Sequence, residues 1–152
     1  MEQYSVVAQQ STCNFNEHLD KAINFLQGAQ QYFISNQIKM AAFMLQQACE
    51  MCFRSLIICF RGKEIRCHEL TVLRKHLSHF APSIIGSFDP SEKKEIKILT
   101  EIQEAYIKSR YDSSYQVCMA TLRKHIIAVD QFILISQEIF AQQLLKLRLA
   151  LA

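Results

Sequence analysis

Glycine and proline are scarce in this chain of 152 residues, which contains three glycines and two prolines. A protein built from sheets needs many tight turns, and such turns draw heavily on these two residues. The scarcity argues against a sheet protein and favours long helices with few connections. Because half of the residues are apolar and the length suffices for one buried core, we expect a single all-α domain.

Recognisable enzyme motifs are missing as well. The chain contains neither a G-x-G-x-x-G loop nor the glycine-rich lysine loop that cradles phosphates in many NTPases. No serine and histidine stand in the pattern of a nucleophile and its base. These absences disfavour an independent metabolic enzyme, and we expect no cofactor.

The chain also lacks the marks of a membrane or secreted protein. No apolar stretch reaches about 18 uncharged residues, and the start MEQYSVVAQQSTCN has no basic region followed by an apolar centre. We therefore expect a soluble, cytoplasmic protein without a membrane partner. Most cysteines stand in apolar helical patterns, which is typical of buried thiols in a reducing compartment, as at Cys49, Cys52, Cys59 and Cys118.

Metal and redox sites are only weakly indicated. Cys49 and Cys52 are spaced as C-x-x-C, but they fall inside an apolar helix pattern and have no second pair that would complete a zinc site. His76 and His79 share a helix face without a carboxylate at helical spacing. We expect core cysteines, surface histidines and no metal ion.

Positive charge is concentrated in one segment. The net charge of the chain is +3, and residues 61–76 hold more cations than carboxylates. The cations of this segment are Arg61, Lys63, Arg66, Arg74 and Lys75. Such a segment attracts an anionic partner or forms a solvated connection between helices, and the second is the more common case.

Apolar residues at three- and four-residue spacing predict an up-and-down antiparallel bundle of four to five helices. Residues 1–13 are polar and aperiodic and are expected to form a flexible tail, leaving residues 14–152 as one domain. The predicted helix starts are Asn14, Ile38, Cys67 or His68, Asp89, and Ser113 or Ser114. The second helix is predicted to end at Arg61, with Gly62 as its C-cap. The last helix carries a long apolar seam, and its end is expected to pair with another subunit.

The second helix is predicted to be central because apolar residues surround it almost completely. Its polar residues are concentrated in one strip, where Gln46, Glu50 and Arg54 follow one another at intervals of four. His68 stands in the basic segment near the predicted start of the third helix. An imidazole at such a position caps the helix, donates to a phosphate or anchors the loop.

The stretch EAYIKSRYDSSYQ, residues 104–116, ends the fourth helix with Lys108, Arg110 and Tyr111. One interpretation is a helix C-terminus whose cations complement the helix dipole. The other is a binding site, because arginine offers a planar fork to phosphate and tyrosine offers a ring and a hydroxyl. The residues alone leave both interpretations open.

Three stretches in this order, AAFMLQQACEMCFRSLI, GKEIRCHELTVLRKH and EAYIKSRYDSSY, resemble the HEPN domain family, named for nucleotide binding in higher eukaryotes and prokaryotes. The likeness covers roughly residues 15–135. It implies a bundle of four or five helices, usually a homodimer. It also implies a minimal nucleotidyltransferase domain as a partner, on the same chain or a neighbouring one.

Some members of that family are metal-independent ribonucleases and toxins, which use an arginine and a later histidine with four to six residues between them. Arg110 matches this arginine, but the positions of the histidine hold Tyr115, Gln116 and Val117. Gln46 stands where relatives often have another histidine. The resemblance therefore disfavours ribonuclease activity in this chain.

The resemblance also implies which residues bind a ligand. Glu50, His68, Arg110 and Tyr111 are the elements that this variant of the family would retain. Antiparallel packing is expected to bring the polar strip of the second helix toward the end of the fourth. The expected cleft consists of Gln46, Glu50, Lys108, Arg110 and Tyr111.

The expected function is a non-catalytic module that binds a nucleotide or another phosphate-bearing ligand, with RNA as a further partner, or that serves a nucleotidyltransferase. Arg110 is expected to contact the phosphate. A toxin-type ribonuclease is the first alternative. A structural dimerisation domain is the second, in which Glu50 only pairs with Arg54 or Arg110.

Overall fold

The computed structural model describes residues 2–80 and 86–151, and this part of the chain forms five α-helices. In chain order they are α1 (Glu2–Ile34), α2 (Ile38–Arg61), α3 (Leu70–Phe80), α4 (Lys93–Tyr111) and α5 (Met119–Leu151). The all-α bundle expected from the scarcity of glycine and proline is therefore confirmed.

Helix α2 is the central element, as its all-round apolar sequence predicted, because each of the other four helices packs against it. Both of its predicted ends are confirmed. Gly62 closes the helix in the left-handed conformation (φ 73°), and its N–H donates to the carbonyl oxygen of Ile58. Among the described residues α2 is also the one helix long and apolar enough to span a bilayer, although 61% of its apolar window is buried against neighbouring helices.

Two clusters of aromatic side chains lie in the core. The rings of Phe15 on α1 and Phe140 on α5 stack at a centroid distance of 3.9 Å. Deeper in the bundle, Phe132 of α5 packs against Phe53 of α2 and against Phe88 of the connection that precedes α4, at 4.6 and 5.3 Å. The second cluster holds that connection against the bundle, and offset and edge contacts of this kind are the favoured aromatic geometries.

Helix α1 begins at Glu2 and not at Asn14, so the predicted start was wrong. Asn14 lies inside the helix, where its carbonyl oxygen is contacted by His18. Glu17 forms an i, i+4 ion pair with Lys21 and does not complete a capping box. The division of the chain into a flexible tail and a domain at residue 14 stays a prediction.

The starts predicted for the last three helices were also wrong, and those of α4 and α5 share a physical reason. Asp89 accepts the backbone and hydroxyl hydrogens of Ser91, and α4 begins only at Lys93. Asp112 likewise accepts from Ser114, so that α5 begins at Met119. Short polar side chains form such local turns as readily as they cap helices. Helix α3 begins at Leu70, two or three residues later than predicted.

Arg74, counted above among the cations of the basic segment, is buried in the bundle. Its Nε donates to the carbonyl oxygens of Ser87 and Phe88 at 2.9 and 3.1 Å, and its Nη1 donates to Ser78 Oγ at 2.7 Å. Burial lowers the pKa of Arg74, while the negative charge of Asp89 opposes that shift. Arg74 therefore ties the connection before α4 to α3 and adds no charge to the surface.

Candidate functional site

Helices α2 and α4 pack antiparallel, as predicted, and their contacts define a register. Lys39 Nζ donates to the carbonyl oxygen of Ser113 at 3.4 Å, at the end of α4. One turn along α2, the ring of Phe43 stacks with that of Tyr106 at 5.4 Å. Gln46 lies opposite Gln103, further from the end of α4. The polar strip of α2 therefore runs away from the end of α4 that carries Arg110.

The centre of the polar strip is Glu50, whose side chain is only 3% exposed. Its carboxylate lies 2.6 Å from Nδ1 of His68 and 3.5 Å from Nη2 of Arg54. The same Arg54 nitrogen donates to the carbonyl oxygen of Cys67 at 2.9 Å. A buried carboxylate requires such compensation, because desolvating an unpaired charge is very unfavourable.

The geometry around Glu50 assigns the tautomer of His68. An ionised carboxylate only accepts, so the short contact requires a hydrogen on Nδ1 of His68. Nη2 of Arg54 also lies 3.2 Å from that Nδ1, but arginine only donates, and one of the two hydrogens on Nη2 is directed to Cys67. Nε2 of His68 is left without a partner among the described residues, on a side chain that is 81% exposed.

Gln46 joins three elements of the fold. Its Nε2 lies 3.4 Å from the carbonyl oxygen of His68 and 3.5 Å from Oε1 of Gln103, and its own Oε1 accepts from Gln47. Gln103 Oε1 also accepts the N–H of Leu70, an otherwise unsatisfied donor at the start of α3. Gln46 is fully buried and its amide is occupied by protein groups. Its predicted direct contact with a ligand stays a prediction.

The end of α4 carries the other predicted residues. The guanidinium of Arg110 lies over the rings of Tyr106 and Tyr111, at 4.2 and 4.9 Å from their centroids. Tyr111 is 76% exposed. Lys108 pairs with Glu104 and lies over the ring of Tyr115. Its hydrogen bond to Glu104 and the charge of that carboxylate raise the pKa of Lys108.

The predicted single cleft is thus divided into two groups in the structure. One holds Gln46, Glu50 and His68, and the other holds Lys108, Arg110 and Tyr111. Gln103, which touches the first group, precedes Arg110 by seven residues, so the two lie on one face of α4 about 10 Å apart at 1.5 Å per residue.

A groove of about 550 Å³ lies along α4, on the side that faces the start of α3. Glu69 and Thr71 line it from the α3 side, and Gln103, Ile107 and Lys108 line it from α4. Since Gln103 contacts Gln46, the groove passes beside the first group.

Two polar residues on the inner faces of helices were not predicted from the sequence, Gln103 on α4 and His125 on α5. Gln103 was overlooked, although it occupies the same helix face as Leu99 and Tyr106, which are apolar at the spacing of a buried stripe. His125 is 4% exposed and lies 2.8 Å from Glu101 Oε2. Burial lowers the pKa of His125, and the hydrogen bond to Glu101 opposes that shift. A polar residue within an apolar stripe was the available signal.

The cysteines are divided between the core and the surface. Cys49 and Cys52 are buried, as expected, and burial raises the pKa of Cys52 to about 12, so both remain thiols. Cys118, expected to be buried, is exposed just before α5. Hydrogen bonds from Thr121 lower the pKa of its thiol. Within the described residues, no group of three potential ligands is placed to hold a metal ion.

The family comparison agrees with this architecture. The model of the family described as HEPN domain matches residues 15–141, which includes α2, α3, α4 and most of α1 and α5. No curated protein matches the chain. All six residues predicted to bind a ligand lie within the matched range.

Proposed function

The chain belongs to the HEPN domain family, whose members bind nucleotides or act as ribonucleases, and from this premise we propose that it is a non-catalytic nucleotide-binding module. Arg110 is the contact for the phosphate of the ligand. Tyr111 and Lys108 complete the site at the end of α4.

The observation that supports this proposal is the environment of Arg110. Its side chain is exposed and stacked on Tyr106 and Tyr111, and no carboxylate lies within ion-pair distance among the described residues. Stacking uses the face of the guanidinium and leaves its N–H edge available. That edge matches two oxygens of a phosphate, and stacking reduces the side-chain entropy lost on binding.

Two neighbours fit a nucleotide. The exposed ring of Tyr111 offers a surface on which a base can stack. Lys108 adds positive charge, although its ammonium group is already engaged by Glu104, so its contribution is smaller than that of Arg110. The end of α4 therefore combines a hydrogen-bond donor for phosphate with an aromatic ring on which a base can stack.

The residues after Arg110 favour binding over cleavage. Tyr115, Gln116 and Val117 occupy the positions of the histidine in ribonuclease members. Burial raises the pKa of Tyr115, so its hydroxyl stays protonated near neutral pH and does not replace an imidazole base. A toxin-type ribonuclease remains the alternative that an RNA cleavage assay tests.

The proposal includes two protein partners. One is a second copy of the chain, and the exposed Leu145, Leu147 and Leu149 near the end of α5 favour this pairing. The other is a nucleotidyltransferase domain. This partner is inferred from the resemblance to relatives that occur beside such a domain. In the structural alternative the bundle would only dimerise and would bind no ligand.

Titration calorimetry with AMP, ADP, ATP and GTP tests the proposal. We expect the chain to bind at least one of them, and Arg110→Ala to weaken that binding about tenfold or more, the usual size for a charged hydrogen bond. Arg123→Ala is the matched control, because Arg123 is also exposed and also lies over an aromatic ring, that of Phe33. It should bind like the original chain.

Two results would contradict this function. If no nucleotide produces heat and Arg110→Ala changes only the stability, the site is structural. If labelled RNA is cleaved by the chain and the cleavage disappears in Arg110→Ala, the module is a ribonuclease. The Arg123→Ala control separates both results from a general effect of removing a surface cation.

A further inference from the structure

The fold places a buried carboxylate against an exposed imidazole. Glu50 is 3% exposed and His68 is 81% exposed, yet the contact of 2.6 Å between them is the shortest that Glu50 makes. Burying a carboxylate is unfavourable unless it is paired and hydrogen-bonded. The buried Glu50 therefore has an exposed side chain, that of His68, as its closest partner.

Anchoring the connection between α2 and α3 does not explain this contact. The backbone of that connection is already held by two side chains of α2, since Arg54 donates to the carbonyl oxygen of Cys67 and Gln46 to that of His68. Arg54 also neutralises Glu50. The contact between Glu50 and His68 instead fixes the position of the imidazole ring and places a hydrogen on its Nδ1.

The surroundings of His68 are positively charged. Arg61, Lys63 and Arg66 of the same connection are exposed and have no ion-pair partner among the described residues. Glu64, the carboxylate between them, is occupied by His18 at 2.7 Å. Arg54 already offsets the charge of Glu50, so the charges of these three cations are not compensated by it. An anion near Nε2 is therefore electrostatically favoured.

We propose that His68 is a second phosphate-binding residue, that Glu50 is its positioning residue, and that the ligand carries two phosphates on either side of a nucleoside. In this arrangement Nδ1–H of His68 donates to Glu50 and Nε2–H donates to a phosphate oxygen. The inference rests on the proposed function for the other phosphate, which Arg110 holds.

The spacing between the two groups supports a ligand of this length. Gln46 Nε2 touches both the backbone oxygen of His68 and Gln103, so His68 lies beside Gln103. Arg110 follows Gln103 by about 10 Å along α4, which is wider than a phosphate group. The groove along this stretch of α4 offers hydrogen bonds from Thr71 and Gln103 and an apolar wall from Ile107. Its lining also includes two carboxylates, Glu69 and Glu104, beside Lys108. A short single-stranded oligonucleotide fits this arrangement better than a mononucleotide.

The first experiment tests the His68 site without Arg110. Inorganic phosphate is titrated into the Arg110→Ala variant while the ring nitrogens of ¹⁵N-labelled histidines are observed by NMR. We expect the Nε2 resonance of His68 to shift, and that of the exposed His79 on α3 to stay unchanged. The Glu50→Gln variant should lose the response. A response of equal size at both histidines would overturn the site.

The second experiment tests the ligand. Binding of 5′-phosphorylated diadenylate and of AMP is compared in the original chain, His68→Gln and the control His79→Gln. We expect His68→Gln to weaken diadenylate binding about tenfold and to leave AMP binding unchanged, since one charged hydrogen bond is lost. His68 is exposed, so this variant keeps the fold, which thermal unfolding verifies.

The outcomes separate the inference from the proposed function. If Arg110→Ala weakens both ligands while His68→Gln weakens neither, the His68 inference fails and the nucleotide-binding function stands. If His68→Gln weakens the binding of AMP and of diadenylate equally, the ligand does not span both groups. If neither ligand binds and Nε2 of His68 does not respond to phosphate, both proposals are overturned. Tighter binding of ATP than of diadenylate would also reject the spacing argument.

Discussion

Phe15 and Phe140 stack face to face with an interplanar angle of 6°, and this pair joins the first helix of the bundle to the last. The contact lies near the end of the region matched by the family model, which extends to residue 141. Beyond Phe140, α5 contributes exposed apolar residues. The bundle therefore ends close to Phe140, and the remainder of α5 is available for another role.

Truncation after Gln143 is expected to keep the fold and abolish the homodimer. Such a cut leaves Ile139 and Phe140 in the core but removes the exposed Leu145, Leu147 and Leu149. Light scattering should give twice the monomer mass for the full chain and the monomer mass for the truncated chain. A cut after Gln137 would be uninformative, because it removes core residues.

A pair of substitutions provides a milder version of that test. Leu145→Lys with Leu149→Lys should also give a monomer, since lysine is well tolerated in the last turns of a helix. Ile34→Lys at the end of α1 is the control, because Ile34 is 77% exposed. A dimer that survives in Leu145→Lys with Leu149→Lys would place the interface elsewhere.

Replacing Arg74 by methionine should lower the free energy of unfolding by about 2 kcal/mol, the usual cost of leaving buried hydrogen-bond acceptors unsatisfied. Methionine packs in a similar volume but leaves the carbonyl oxygens of Ser87 and Phe88 without their donor. Urea unfolding measures the change. Lys75→Met, at the exposed neighbouring position, should change the stability little.

The pair formed by His125 and Glu101 predicts a pH dependence of stability. Burial lowers the pKa of His125 below 6.5, so the unfolded chain binds a proton more readily than the folded chain. This contribution to stability is complete above about pH 6.5 and is lost as the pH falls toward the folded pKa. Urea unfolding at about pH 7.5 and about pH 5.5 should therefore give a smaller difference for His125→Gln than for the original chain. The exposed His79→Gln should show the original difference.

Cys118 is expected to react with iodoacetamide faster than the core thiols. It is exposed and hydrogen bonds lower its pKa, whereas burial raises the pKa of Cys52 and Cys59 to about 12. The thiolate is the reactive form. In mass spectrometry, Cys118→Ser should lose one rapidly labelled thiol, and Cys59→Ser should lose none. Equal labelling of the two variants would contradict the prediction.

The sequence predicted the ends of a helix correctly where the apolar periodicity and the residues at the helix ends indicate the same boundaries. Helix α2 was located at both ends because its apolar periodicity is strong and Gly62 supplies the left-handed closing residue. The starts of α4 and α5 were misplaced because Asp89 and Ser114 participate in local turns, and sequence alone does not distinguish a turn from a cap.

For the candidate site, the sequence predicted which residues bind a ligand, which stays a prediction, and it placed them in one cleft instead of two groups. The strip of Gln46, Glu50 and Arg54 follows from helical spacing alone. The contact between Glu50 and His68 depends on how an irregular connection returns across α2, which spacing does not determine. The separation of Arg110 from Glu50 depends on the register of α2 against α4, and Phe43 and Tyr106 set that register across the bundle.

The connection between α2 and α3 is held through backbone oxygens, since Arg54 and Gln46 bond to the carbonyl groups of Cys67 and His68. A carbonyl oxygen is present whatever the side chain is. Lys63 and Arg66 can therefore be exchanged during evolution without disturbing the imidazole that follows them. The charge of this connection is therefore independent of the hydrogen bonds that hold its backbone in place.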